Sequence, residues 1–219
     1  MPSGITQAIF SVSMLVVQSL TNSLGEMVIA CNVIVMRVDG FAMMPNMTFG
    51  NAMGVYAGQN VGAGKVKRVH DGAKQGVALA TSTAAVITIV LVFFGKNLMY
   101  LFTDTEELIE LSIRMLRILA AGYIAISVSQ VLGGIMRGAG DTVSPMWISL
   151  FTTVGLRLPL AYGLAYLTRC PEYPNGRPEA LFGSMLITWT LGMVIHYVVY
   201  RVGPWKKNLP RESNERSHS

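Results

Sequence analysis

Charge is what this sequence lacks most. Only 13% of its 219 residues are Asp, Glu, Lys or Arg, against roughly 25% in ordinary globular domains. A chain of this size can bury a sizeable core, but burial leaves surface charge in place, so the deficit marks a surface that does not face water. Cysteine is nearly absent: Cys31 lies in an apolar run and Cys170 in a loop, and two such residues build no disulfide framework. Intrinsic disorder is excluded by 52% hydrophobic residues and a mean hydropathy of +0.47. The opening residues carry no basic n-region and the first apolar stretch no small-residue cleavage site, so no cleaved secretory leader is expected.

Reactive clusters are missing as well. His70, His196 and His218 are scattered, with no Cys or carboxylate at metal-ligand spacing. The stretch from Gly58 to Lys65 imitates a phosphate loop, but six residues rather than five separate the first glycine from the lysine, and Val66 stands where Ser or Thr is needed. No nucleophile–base pair or paired carboxylate emerges. The sequence therefore predicts no enzyme, no metal and no cofactor. A formal charge of +5 would suggest nucleic acid in a soluble chain. Here the basic residues sit beside long apolar runs, which points to a lipid bilayer as the partner and away from nucleic acid.

What is present is length and apolarity. About 20 apolar residues cross roughly 30 Å of hydrocarbon, and six candidate spans are legible: 4–24, 27–56, 76–94, 108–136, 143–167 and 180–200. Alternation of the barrel kind is absent, so an all-α bundle of six transmembrane helices is predicted within residues 1–203. Residues 204–219 read as a polar, disordered tail, and 62–75 as an amphipathic surface segment entering span three. Ten basic residues share one side: Lys65, Lys67, Arg68, Lys74, Arg137, Arg201, Lys206, Lys207, Arg211 and Arg216. The other side carries Lys96, Arg169 and Arg177 among five acids. The positive-inside rule places the ten in the cytoplasm together with both termini, in a multi-pass cell-membrane protein.

Polar residues at membrane depth are costly and often functional. Asp39 lies about 18 Å into span two and Arg157 about 20 Å into span five. Asn32, Asp39 and Asn46 are seven residues apart, a spacing that drifts only about 20° per step on a helix. They form one stripe; Arg37 lies about 200° from Asp39 and cannot share it. Span one adds Ser11, Gln18 and Asn22, and span four Tyr123, Ser127 and Gln130. Three striped helices turn their polar faces toward a shared interior in the simplest packing. The amides can equally be interhelical glue at about 0.6 kcal/mol per bond. Asp39, subject to burial on one hand and to a cation such as Arg157 on the other, is a candidate proton-exchanging group. Met43, Met44, Met47 and Met53 read as gap-fillers around the Pro45 kink. Asp141 reads as the N-cap of the span that follows.

Two stretches resemble the multidrug and toxic compound extrusion (MATE) transporters, in particular their bacterial DinF-like branch. One runs from Arg37-Val-Asp-Gly-Phe-Ala-Met-Met-Pro-Asn-Met to Gly58-Gln-Asn-Val-Gly-Ala-Gly-Lys; the other is Leu132-Gly-Gly-Ile-Met-Arg-Gly-Ala-Gly-Asp-Thr. Arg157-Leu-Pro-Leu-Ala-Tyr adds weaker support. The family has twelve spans in two lobes related as parallel repeats, so the resemblance implies that this chain is the carboxy-terminal six-helix lobe. Its start directly on a span suggests a fragment, or else a half-size chain that pairs with another.

The implied function is secondary antiport: efflux of small organic, often cationic, compounds against proton or sodium entry. The partners are the missing amino-terminal lobe or a second half-size chain. Asp39, Asn32, Asn46, Gln18, Asn22 and Arg157 are expected to line the substrate or proton cavity. Gly58, Gln59, Gly62, Gly64, Arg137, Gly138, Gly140 and Asp141 belong to the motif loops, with the glycines shaping the cytoplasmic turns. Sodium-dependent members carry acids in the first and fourth helices of this lobe; here Phe10–Ser11 and the 122–126 stretch stand in their place. Two alternatives compete with antiport: a flippase of lipid-linked saccharides from the same superfamily, and a membrane module inactive without a second lobe.

Overall fold

The computed structural model describes residues 2–171 and 173–209. The predicted spans appear as α1 (Pro2–Ser23), α2 (Glu26–Gly62), α3 (Val66–Met99), α4 (Glu106–Gly138), a broken helix α5 (Val143–Leu150) and α6 (Arg157–Leu167), and α7 (Glu179–Val202). No strand forms among the described residues; the sole pairing outside helices is a bridge between Cys170 and Tyr173. Five helical stretches are long and apolar enough to cross a membrane, and the apolar run Ala8–Ser23 of α1 is a shorter sixth. The observed helices overrun the apolar runs because helix continues past the hydrocarbon wherever no breaker intervenes. In segment 62–75, Gly62 ends α2, residues 63–65 make the turn, and α3 begins at Val66 and runs on without interruption.

At the centre of the bundle α4 packs against α2, α3 and α7. Its buried residues include Met115, Leu116, Leu119, Tyr123 and Ile135, while α3 turns Leu79, Val86, Phe93 and Phe94 outward. Lipid tails are as apolar as these side chains, so helices associate through close backbone packing, which small residues permit. The α2–α4 crossing follows this rule. Gly50, Gly54 and Gly58 on α2 meet Gln130, Gly134 and Gly138 on α4 at four-residue intervals. A Cβ added to Gly134 would stand 2.0 Å from the Gly50 carbonyl oxygen, and one added to Gly138 would stand 2.1 Å from that of Gly54.

This corrects the expectation that Gly58 and Gly138 shape loops: both are helical and serve the crossing. The turns belong to Gly64 and Gly140, with φ of 70° and 85°. Each is the left-handed residue of a helix-ending motif. Gly64 N–H donates to the Val61 carbonyl and Lys65 N–H to that of Asn60; Gly140 N–H donates to Arg137 and Asp141 N–H to Met136. Both α2 and α4 thus stop on the same Gly-Ala-Gly sequence. Asp141 then caps the next helix, its Oδ1 accepting from Ser144 N–H at 2.9 Å.

Pro159 lacks a backbone N–H and crowds the carbonyl four residues earlier. The helix widens just before it, into a π-turn at Phe151–Leu156. At the chain's far end the predicted tail is corrected in its first residues. Pro204–Asn208 forms a 3-10 turn, and Trp205 is 0% exposed, stacked on Tyr200 at 5.0 Å with its Nε1–H donating to the Tyr200 carbonyl. The tail beyond residue 209 lies outside the described residues.

Candidate functional site

The π-turn places Thr153 and Arg157 one turn apart on a helix face toward α1 and α2. Tyr162 fastens α6 to α1 by donating its hydroxyl to the Val16 carbonyl at 3.1 Å. Between these helices and α7 lies a cavity of about 340 Å³. Its polar lining is Ser13, Gln18, Thr21, Asn32, Thr153 and Arg157; its apolar lining includes Met14, Leu15, Val17, Met36, Leu181 and Met185. Among the described residues of this wall Arg157 carries the only formal charge. Ser13 and Thr21 turn their hydroxyl protons back to the Ile9 and Val17 carbonyls of their own helix, as hydroxyls in apolar helices do.

Three of the six residues expected around a cavity therefore meet there: Gln18, Asn32 and Arg157. The other three do not. Asn22 is exposed and accepts a 2.9 Å hydrogen bond from Gln18 Nε2. Asn46 is buried and bonds within its own helix, Nδ2 to the Ala42 carbonyl at 3.4 Å. Asp39, 8% exposed, faces α4, where Tyr123 donates its hydroxyl to Oδ1 at 2.9 Å. The stripe is real as a pattern on α2, but its neighbours change along its length: α1 beside Asn32, α4 beside Asp39.

Asp39 and Arg157 close no ion pair within 4.0 Å among the described residues. Arg157 Nε is buried with no hydrogen-bond partner. Tyr123 is 0% exposed and tilts against Trp189 of α7, ring centroids 6.1 Å apart. A carboxyl and a phenol are thus joined where α2 packs against α4. Of the motif residues, Gln59 and Arg137 are exposed, and Gly62 ends α2 in open space. No group of three or more His, Cys, Asp or Glu is arranged to hold a metal among the described residues.

With that geometry in hand, the chain can be compared with known proteins. The MatE family model matches residues 2–163. The probable multidrug resistance protein YoeA of Bacillus subtilis is 27% identical over 190 residues, covering 86% of this chain and 41% of its own length. For the probable multidrug resistance protein YpnP of the same organism the figures are 29% over 215 residues, 94% and 44%. The chain therefore spans less than half the length of these curated relatives. Solved structures share its fold. A multidrug resistance MATE family transporter of the MOP superfamily superimposes with a TM-score of 0.81 in an outward-facing conformation, at 17% identity over 94% of this chain and 46% of that one. An inward-facing conformation of such a transporter gives 0.82, at 18% identity over 94% and 47%. The six-helix bundle is one lobe of that architecture, built for the membrane and not for catalysis. The chain belongs to the MatE family, a family of transporters and not of enzymes.

Proposed function

We propose that the chain is one lobe of a secondary antiporter that exports small organic compounds, driven by entry of protons or sodium ions. The carrying observation is the cavity of about 340 Å³ with Gln18, Asn32 and Arg157 in its wall, set inside an otherwise apolar bundle. Binding sites of this size pair an apolar lining with a few placed polar groups, and in transporters they lie where helices are broken. Short π-turns inside α-helices are frequent at functional sites, and one lies beside Arg157. Because the chain covers 41% and 44% of two multidrug resistance relatives, the working unit has a second lobe, on a longer chain or on a second half-size copy. Rocking of one lobe against the other opens the cavity to each side in turn. The family's transport needs no cofactor, and the saccharide flippase finds no support among the relatives.

Asp39 is the proposed coupling group. Its bond from Tyr123 suits that role, since a carboxyl oxygen accepts from a phenol in either protonation state. Loss or gain of a proton then alters the charge opposite Arg157 without releasing the carboxyl from its helix. Orientation follows the basic loops: Lys65–Lys74, Arg137 and Arg201 in the cytoplasm of a bacterial-type cell.

Export of fluorescent dyes tests this reading. Cells stripped of their own pumps and expressing the lobe with its second half should extrude at least one cationic or anionic dye. A protonophore or removal of sodium should stop it and so identify the ion. Asp39→Asn should leave dye binding in place and abolish the dependence of export on the gradient. Failure to extrude any dye would sink the transport reading; intact gradient dependence in Asp39→Asn would sink the role of Asp39.

A further inference from the structure

We infer that the cavity between α1, α2 and the broken helix takes the anionic end of its ligand: a small amphipathic organic acid, its carboxylate or sulfonate held by Arg157 and Asn32. The inference deepens the transport reading above and rests on it for the name of substrate, though not for the chemistry.

A guanidinium has five N–H donors in a planar fork and no acceptor. Taken out of water, it needs acceptors to offset desolvation. Arg157 is half-buried, its Nε is buried, and no described residue accepts a hydrogen bond from it. Asp39 is the nearby countercharge, but it faces Tyr123 and does not close on Arg157 within 4.0 Å. The wall contributes no carboxylate that would attract a cation. Its hydroxyl donors at Ser13 and Thr21 are spent on their own helix, and Gln18 donates to Asn22. Besides the Thr153 hydroxyl and the second N–H of Gln18, the guanidinium of Arg157 and the amide of Asn32 remain as donors. Both suit a carboxylate or sulfonate, the guanidinium by two parallel N–H···O bonds. The rest of the wall is mostly apolar and rich in methionine: Met14, Met36 and Met185 adapt to flat apolar bodies of varied outline.

The test uses a matched pair of probes, 2-naphthoate and 2-naphthylmethylammonium, titrated calorimetrically into the complete protein in nanodiscs of zwitterionic lipid. Naphthoate should bind at least about tenfold more tightly than the ammonium. Arg157→Gln should weaken naphthoate at least about tenfold and leave the ammonium unchanged, Arg157→Lys should recover part of the loss, and Asn32→Ala should weaken naphthoate about threefold. Equal or tighter binding of the ammonium by the unmodified protein would overturn the inference, whatever becomes of the variants. So would naphthoate binding indifferent to Arg157→Gln. Phosphatidylglycerol added to the discs tests the other source of an anion: displacement of naphthoate by the lipid would assign the site to a headgroup and overturn the substrate reading. Anion-selective binding without dye export would leave this inference standing and remove the transport one; export with a cation-selective cavity would do the reverse.

Discussion

At the scale of single residues, the most consequential contact is the one between Asp39 and Tyr123, because it joins a buried carboxyl on α2 to a fully buried phenol on α4. Hydrogen bonds between membrane helices average about 0.6 kcal/mol and reach about 1.7, and bonds to a charged group lie at the strong end. Tyr123→Phe removes the donor while keeping the ring against Trp189, so it should lower stability by about 1–2 kcal/mol, measured by reversible unfolding in mixed micelles. The same change made in an Asp39→Asn background should cost less, because the acceptor is weaker; the double-mutant cycle reads the coupling directly. Additive effects would mean that the two groups do not interact in the membrane. Tyr100, outside the spans, shows a different device: its hydroxyl donates to Glu106 at 2.6 Å, which holds the phenol above its ordinary pKa and clasps the turn from α3 into α4.

The elements are held by glycine more than by polar contacts. At Gly134 even one methyl group has no room, since its Cβ would lie 2.0 Å from backbone oxygen, which cannot rotate away as a side chain could. Gly134→Ala should therefore destabilise the bundle by about 1–3 kcal/mol, the usual range for overpacking. Gly163→Ala, with nothing within 4 Å of the new carbon, should be neutral or stabilising by up to about 1 kcal/mol. Equal effects at the two positions, in the same unfolding assay, would remove close backbone approach as the explanation. Trp205→Ala should also cost about 3 kcal/mol or more, because a fully buried indole leaves its stack on Tyr200 and its hydrogen bond behind.

These elements also show what was legible in the sequence. The spans were, because apolar runs of this length have one physical reading. The Gly50-Gly54-Gly58 crossing was not, and Gly58 reads from sequence as a loop glycine, because its partner on α4 is known only once the helices are laid together. The π-turn at 151–156 had Pro159 as its signal, without any indication of which register would widen. Trp205 reads from sequence as part of a polar tail, because its docking depends on Tyr200 and His70 from two other helices. The stripe on α2 was read with the correct periodicity, yet Asn32, Asp39 and Asn46 part company because a helix face 21 Å long meets different neighbours, about 1.5 Å per residue along the way.

For the molecule as a whole, the fold sorts its charges by end. His70 Nδ1 lies 3.1 Å from the Tyr200 hydroxyl, and Trp205 packs beside both, which brings the start of α3 to the end of α7 and groups Lys65, Lys67, Arg68 and Lys74 with Arg201 and Lys206. At the opposite end Arg114 pairs with Glu179 at 3.1 Å, Lys96 with Glu106 at 3.7 Å, and Asn175 donates to the Ser23 carbonyl at 2.7 Å. If the basic end is cytoplasmic, the loop before α7 faces outward, and the chain carries its own reporter there. Cys170 is partly exposed in that loop, whereas Cys31 is buried on α2 at 0% exposure. A membrane-impermeant maleimide added to intact cells should label Cys170 and spare Cys31. In a Cys170→Ser background, Lys67→Cys should resist the reagent in intact cells and react in inside-out vesicles. Labelling of Lys67→Cys from outside, with Cys170 reactive only in inverted vesicles, would turn the bundle over and with it the side from which the ligand enters.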